Sequence, residues 1–212
     1  MVEQIPAESL NPEHLRALYR VSGWINSTLD FDQALDNAMD AIMQVTNAQR
    51  GFLMILNNDT NELEVLVARG INGEEIENEG YSTTIVNHVV QSGEPLLTNN
   101  AQFDTRFSAG QSIIMRGLRA ILSAPMMVQD RLIGVVYVDT SMKAGTFRPE
   151  DASLMQAVSG LAARAIENAR LYAVAKEKGR LEHELMMAQE IQRNLLPQEM
   201  PHLPGYELAP HW

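Results

Sequence analysis

The chain has 212 residues, of which 45% are apolar, and its formal net charge is −11 at pH 7. The apolar share is typical of a chain that folds around a core, and the acidic surface disfavours nucleic acid and anionic membranes as partners. With no cysteine, no basic leader and no apolar run of about 20 residues, the sequence excludes disulfides and thiol chemistry and predicts a cytoplasmic protein that does not cross a membrane.

Two helices are predicted before the first strand. The earlier one begins at Asn11, with Pro12 in its first turn, and its seam positions recur every three or four residues as in a coiled coil, with one polar break at Ser22. The later one begins at Asp30, a good N-cap residue, and has one apolar face. The apolar residues are Leu15, Leu18, Ile25 and Leu29 in the earlier helix, and Leu35, Ala38, Met39, Ile42 and Met43 in the later one.

A pair of strands follows these helices. Residues 51–56 are almost all apolar and therefore predict a central strand. Residues 62–68 alternate between apolar and polar side chains. Because successive side chains of a strand point to opposite faces, we expect Leu63, Val65 and Val67 to lie on one face of the sheet.

Three further strands and a helix are predicted in the middle of the chain. Residues 83–91 predict a short helix, and residues 94–98 a short edge strand. Residues 120–128 and 132–138 predict a β-hairpin joined by a polar turn. Within this hairpin, Pro125 indicates a bulge or an unpaired backbone position, because proline has no N–H group to donate.

The last predicted helix is unusually long. It begins near Phe147 and meets no stop signal before Pro197, and its apolar residues form two seams that are offset near residues 168–172. A polar segment that contains Gly179 lies after the offset, and a glycine inside a helix costs about 1 kcal/mol relative to alanine. The first seam includes Leu154, Val158 and Leu161, and the second includes Leu181, Leu185 and Leu195.

These seams predict a parallel homodimer. The earlier N-terminal helix and residues 150–172 are expected to form a four-helix bundle across two copies, while residues 173–196 have no sheet to cover. The alternative is that both helices cover one face of the sheet within a monomer. The predicted dimer seam comprises Leu15, Leu18, Ile25, Leu154, Val158, Leu161, Leu181, Leu185 and Leu195.

The chain resembles a GAF domain from about Thr28 to Tyr172. The resemblance is carried by residues 50–57, by the hairpin at 123–140 and by the helix at 147–172. It implies an α+β fold in which helices cover the faces of an antiparallel sheet, with a long coiled-coil helix after it.

The C-terminal residues resemble a different family. Ala188, Ile191, Gln192 and the Leu195-Leu196-Pro197 run, followed by Pro204-Gly205-Tyr206, resemble the entry into bacterial protein phosphatase 2C-like domains of the sporulation and sigma-factor-regulating type. The resemblance implies a Mn²⁺- or Mg²⁺-dependent serine/threonine phosphatase that acts on a phosphorylated regulatory protein. The first metal-binding aspartate of that family lies downstream of the matched residues, so no residue of this chain is assigned a catalytic or metal-binding role.

Together the two resemblances divide the chain into four parts. Residues 1–27 are a tail and helix, 28–172 a GAF sensor domain, 173–196 a coiled-coil linker helix, and 197–212 the start of a phosphatase domain. We therefore expect the regulatory part of a phosphatase without its catalytic part.

A candidate ligand site lies in the predicted loop between residues 99 and 111. By the GAF resemblance this loop forms part of a ligand pocket, and an arginine beside aromatic rings suits an anionic or planar ligand. The alternative is a loop whose aromatic residues anchor onto the core. The candidate residues are Phe103, Asp104, Arg106 and Phe107.

Two other features have a simpler interpretation. His88 lies in a helix where some GAF domains meet haem or another ligand, but an exposed helix histidine is the plainer interpretation. The acidic residues Glu74, Glu75, Glu77 and Glu79 lack the spacing of a calcium loop and predict a solvated loop.

The leading functional hypothesis is a GAF sensor with a dimerising linker that regulates a phosphatase domain. Two alternatives stay open: a stand-alone receptor for an unknown small molecule, and a purely structural dimerisation module. An occupied pocket would favour the former, and a core filled by side chains the latter.

Overall fold

The computed structural model describes residues 19, 22–23, 28–57, 59–101, 104, 119–141, 147–195 and 205. The predicted seam residues Leu15, Leu18 and Ile25, together with the helical turn predicted at 112–118, lie outside this part. The elements in chain order are α1 (Phe31–Thr46), β1 (Arg50–Leu56), β2 (Leu63–Gly70), α2 (Thr83–Ser92), β3 (Leu96–Thr98), β4 (Ala120–Val128), β5 (Arg131–Thr140) and α3 (Pro149–Leu195).

The five strands form one antiparallel sheet in the order β2-β1-β5-β4-β3. The middle strand, β5, pairs with β1 on one side and with β4 along the whole predicted hairpin on the other. Strand β3 at the edge has three residues and pairs only with Ile121–Ser123 of β4. The predicted α+β fold with an antiparallel sheet is confirmed.

The sheet separates two apolar clusters. The first lies between the sheet and helices α1 and α3, and it includes Met39, Leu53 and Val136. The second lies on the α2 side and includes Phe52 and Tyr137. Because adjacent residues of β5 point to opposite faces, this one strand contributes to both clusters.

Side-chain caps fix where the two shorter helices begin. The carboxylate of Asp30 accepts a hydrogen bond of 2.9 Å from the backbone N–H of Gln33, which confirms the predicted start of α1. Ser82 occupies the corresponding position before α2. This helix ends at Gly93, whose φ of 66° is a left-handed conformation that glycine adopts without steric cost.

Strand β2 departs from its predicted alternation. Leu53 pairs with Val67 and the next residue, Met54, pairs with Val65, so Leu66 is the extra residue of a β-bulge. The bulge reverses the orientation of the side chains that follow it. Val67 therefore packs in the first cluster, whereas Leu63 and Val65 pack against the second.

The hairpin contains the irregularity that Pro125 indicates. Its register shifts between Met126 and Met127, one residue beyond the proline. Pro125 pairs with Val135 of β5 but lies past the three residues of β4 that pair with β3. Within the described residues, this part of β4 has a strand partner on one side only, so the missing N–H group is tolerated.

The first turns of α3 cover the sheet of their own chain. Leu154 and Val158 are buried in the first cluster, and Leu161 is half-buried against it. Their side chains therefore pack against the domain's own sheet. The predicted role of these three residues in a dimer seam stays a prediction.

The character of α3 changes at Leu171. Every residue from Leu171 to Leu195 is exposed, in contrast to the preceding turns of the same helix. The chain also divides into two compact units, Met1–Leu171 and Tyr172–Trp212. None of the described helices is both long enough and apolar enough to span a membrane.

Candidate ligand site

The register between β1 and β5 builds a polar site at one end of the second cluster. Arg50 lies opposite Asp139, and Phe52 lies opposite Tyr137. Because residues two apart in a strand share a face, all four side chains belong to the α2 side of the sheet. A charged pair and an aromatic pair therefore lie next to each other in the fold.

Arg50 and Asp139 form a two-point ion pair. Nε of Arg50 donates to Oδ1 of Asp139 at 2.9 Å, and Nη2 donates to Oδ2 at 2.6 Å. Nη2 also donates to the backbone carbonyl of Gly80 at 3.2 Å, which ties the loop before α2 to the sheet. Burial lowers the pKa of Arg50, but the hydrogen bond and the charge of Asp139 outweigh this effect and leave that pKa raised.

Three aromatic rings line the site beside this ion pair. The ring centroids of Phe52 and Tyr81 lie 5.6 Å apart, those of Phe52 and Tyr137 5.9 Å, and those of Tyr81 and Tyr137 6.2 Å. The guanidinium carbon of Arg50 lies 5.4 Å from the centre of the Phe52 ring, within the range of a cation–π contact. The site thus places three mutually packed aromatic rings beside a fixed positive charge.

The hydroxyl of Tyr137 is the unusual group of the site. It is fully buried and makes no well-formed hydrogen bond in the part of the chain that the structure describes, although the backbone of Ser82 and the carboxylate of Asp139 lie close enough to influence its pKa. Burial, and then the negative charge of Asp139, raise the pKa of Tyr137 well above its ordinary value, so the hydroxyl is neutral at physiological pH. A neutral hydroxyl can both donate and accept a hydrogen bond, and leaving it unpaired costs about 1–3 kcal/mol.

Strand β5 also contacts α3 at its opposite end. Nη2 of Arg131, the first residue of the strand, donates to Oε1 of Glu167 at 2.5 Å. Glu167 is buried and also accepts from Nε of Arg170 at 3.1 Å. Burial raises the pKa of Glu167, but hydrogen bonds from Arg170 and Arg131 outweigh it and hold that pKa below its usual value. This cluster fixes the last packed turn of α3 to the sheet.

Most of the sequence-predicted site residues lie in a part of the chain that the structure does not describe. Phe103, Arg106 and Phe107 lie outside the described residues, and Asp104 is half-buried. His88 is exposed on α2, in line with its plainer interpretation. The residues Glu74, Glu75, Glu77 and Glu79 are exposed as well, as expected of a solvated loop. The described residues contain no cluster of three or more side chains suited to hold a metal ion.

Comparison with known proteins establishes the family. The sequence profile of the GAF domain matches residues 30–166 of this chain. The chain belongs to the GAF domain family. The GAF domain of the phosphoenolpyruvate-protein phosphotransferase from Acinetobacter has the same fold, with a TM-score of 0.62 and 18% sequence identity. That similarity covers 77% of this chain and 99% of the Acinetobacter domain.

Two relatives of this GAF domain are histidine kinases by name. The hybrid signal transduction histidine kinase G of Dictyostelium discoideum is 29% identical over 89 residues, which are 42% of this chain and 3% of that protein. An uncharacterized sensor-like histidine kinase of Chloroflexus aurantiacus is 23% identical over 189 residues, which are 86% of this chain and 30% of that protein. The chain thus spans less than a third of either relative, and it is a GAF sensory domain with relatives in signal transduction.

We predict that Tyr137→Phe stabilises the ligand-free GAF domain. The substitution keeps the ring packing and removes the unpaired hydroxyl, so the free energy of unfolding should rise by about 1 kcal/mol in urea denaturation. Tyr81→Phe, which changes a half-buried tyrosine in the same aromatic group, should give no such gain. A loss of stability in Tyr137→Phe alone would show that the hydroxyl already has a partner.

We predict that Glu167→Gln lowers stability in a pH-dependent way. Because the folded-state pKa is depressed, the charge of Glu167 stabilises the fold above its unfolded pKa of about 4.3, and this contribution is lost as pH falls through the lower folded-state pKa. At pH 7 the loss should be about 1 kcal/mol, and the gap to the parent should close below about pH 4.

The matched control for Glu167→Gln is Glu177→Gln in the same helix. Glu177 also accepts from an arginine, Arg180, but its side chain is exposed. Denaturation at pH 7 and pH 3.5 should show no change for this variant. Equal behaviour of the two variants would contradict a special role for the buried Glu167.

Proposed function

We propose that this chain is the signal-input region of a larger signalling protein, in which the GAF domain binds a small molecule at the Tyr137 site. The observation that carries the proposal is the hydroxyl of Tyr137, which is buried beside the ion pair of Arg50 and Asp139 and makes no well-formed hydrogen bond with the described residues. Buried polar groups in folded proteins are almost always paired, so an exception calls for an explanation such as a bound water, ion or ligand. Membership of the GAF family and the relatives named as signalling proteins support the proposed role in signal input.

The surroundings of that hydroxyl indicate the chemistry of the ligand. The rings of Phe52, Tyr81 and Tyr137 favour a planar apolar group, and the tyrosine hydroxyl favours one hydrogen-bonding atom on it. The charge of Arg50 is already neutralised by Asp139, so the ligand need not be an anion. A neutral, planar molecule with one polar atom fits these features.

Ligand binding is proposed to act on α3 through β5. Val136 and Val138 alternate with Tyr137 along the strand and pack in the first cluster, where Met155 and Val158 of α3 also lie. Cores are close-packed, so a shift of β5 at the site is transmitted to the helix on its other face. Arg131 at the start of the strand and Glu167 then hold the helix turn that precedes Leu171.

The proposed output is a serine/threonine phosphatase domain. Its support is the pattern from Ala188 to Tyr206, which resembles the entry into protein phosphatase 2C-like domains. In that arrangement Mn²⁺ or Mg²⁺ belongs to the phosphatase domain, and a phosphorylated regulatory protein is the substrate. The phosphatase resemblance has no counterpart among the histidine kinases named above, so it rests on these residues alone.

The second candidate output is a histidine kinase. It is favoured by the two relatives, and by His183, whose imidazole is exposed on α3 and accessible to a phosphoryl donor. A stand-alone receptor and a purely structural dimeriser complete the alternatives. The phosphatase and the kinase make different chemical products, so one assay for each product distinguishes these two outputs.

We predict that small molecules which bind the GAF domain depend on Tyr137. A library of neutral planar compounds is screened by thermal shift, and hits are titrated by calorimetry. Tyr137→Phe should weaken binding about tenfold, the value of one lost hydrogen bond, while Tyr81→Phe changes it less. Hits that bind both variants equally well would place the ligand elsewhere, and the absence of any hit would favour the structural dimeriser.

We predict phosphatase activity for the complete natural protein that carries this sequence. With Mn²⁺ it should release phosphate from a phosphoserine peptide, and chelation with EDTA should abolish the release. With ATP labelled at the γ-phosphate it should gain no acid-labile phosphate. Acid-labile label that is lost in His183→Ala would instead establish the kinase, and the absence of both activities would overturn both outputs.

A further inference from the structure

The exposed part of α3 carries an apolar stripe with a seven-residue repeat. Its members alternate at spacings of three and four residues, as the inward-facing positions of a coiled coil do. The repeat is sustained over about three and a half heptads, which distinguishes it from a chance pattern. The heptad stripe consists of Leu171, Val174, Lys178, Leu181, Leu185, Ala188, Gln192 and Leu195.

No described residue covers this stripe. Val174 and Leu185 are each 64% exposed, and Leu195 is 80% exposed. The earlier turns of the same helix bury their apolar side chains against the sheet. A soluble helix with a continuous exposed apolar stripe is stable when a partner buries that stripe.

We infer that the partner is a second copy of this chain, aligned in parallel and in register. A heptad stripe fits another heptad stripe, because each residue inserts between four residues of the facing helix. Residues at the same stripe position then face each other across the dimer. Each leucine of the stripe then packs against the same leucine of the other copy, and Leu181 and Leu185 form the most apolar part of the interface.

The two polar members of the stripe argue for the parallel register. In that register Lys178 faces Lys178 and Gln192 faces Gln192, so each polar side chain lies opposite a polar side chain of the other copy. We call each such pair of facing residues a layer. In the fully overlapped antiparallel arrangement, Lys178 would instead face Ala188, and Gln192 would face Val174. Each polar group would then be buried against an apolar one without a partner, which is costly.

Charges around Lys178 complete the polar layer. Its Nζ lies 3.8 Å from Oε1 of Glu182 in the same chain. In the parallel dimer the two lysines are therefore flanked by carboxylates from both chains, which offset their mutual repulsion. A lysine at one inward position fixes the register of a coiled coil at some cost in stability.

The register is tested by disulfide formation in the 212-residue chain. The chain contains no cysteine, so one introduced thiol is the only thiol present. Ala188→Cys should oxidise to a covalent dimer almost completely at micromolar concentration, because residue 188 faces itself across the interface. Met187→Cys, one residue off the stripe, should cross-link several-fold less. Equal cross-linking at both positions, or none at residue 188, would overturn the parallel register.

The role of the heptad stripe in dimerisation is tested by sedimentation equilibrium of the 212-residue chain at concentrations of tens of micromolar. Leu181→Glu combined with Leu185→Glu should weaken dimerisation at least a hundredfold, since four negative charges would enter the interface. The matched control is Met186→Glu combined with Met187→Glu, which adds the same charge to exposed residues beside the stripe and should leave the dimer intact. A monomeric parent chain, or a stripe variant that dimerises as tightly as the control, would overturn the proposal. Unchanged thermal melting of the GAF domain verifies that each variant is folded.

Discussion

Strand β5 is the element on which the rest of the GAF domain depends, because it is buried on both faces and paired on both edges. Its odd-numbered residues Tyr137 and Asp139 belong to the α2 side of the sheet, and Val136 and Val138 pack against the helices on the other side. Because the strand is close-packed on both faces and hydrogen-bonded along both edges, a change in packing on one face displaces the side chains on the other. This position makes one strand both the floor of the candidate site and the support of α3.

The buried polar groups of the candidate site lower the free energy of unfolding of the domain. Asp139 is almost completely buried, and its ion pair with Arg50 offsets the desolvation of both charges without a large net gain. The Tyr137 hydroxyl, which lacks a well-formed hydrogen bond to the described residues, adds a further cost of up to about 1–3 kcal/mol. A ligand that hydrogen-bonds this hydroxyl removes that cost, so binding and stabilisation are linked through one atom.

The sequence allowed the sheet and its strands to be predicted because apolar runs and turn residues are local signals. It did not reveal the bulge at Leu66, since a single extra residue leaves the alternation of β2 looking intact. The site was missed for a similar reason: Arg50 and Asp139 are 89 residues apart, and only the register of β1 against β5 brings them together. The visible hint was an aromatic residue two positions from a charged one in each of two apolar strands.

Helix α3 also shows where periodicity is ambiguous. Leu154 and Val158 fit a coiled-coil spacing, yet they pack on their own sheet, because spacings of three and four suit any buried helix face. Only exposure distinguishes them from Leu181 and Leu185, which have the same spacing and no cover among the described residues. The change occurs within a few residues of Glu167, so the ion pair with Arg131 fixes the last turn before the exposed stripe.

The central claim is that the candidate site and α3 are coupled through β5, and hydrogen exchange of the intact chain tests it most directly. Asp139→Asn breaks the ion pair at the site, and Leu96→Ala in the edge strand β3 provides a core variant of comparable cost, about 2–5 kcal/mol, in the cluster that does not contain α3. After correction for the measured loss of global stability, we expect faster amide exchange in residues 159–171 for Asp139→Asn than for Leu96→Ala. Equal exchange of this segment in the two variants would contradict it.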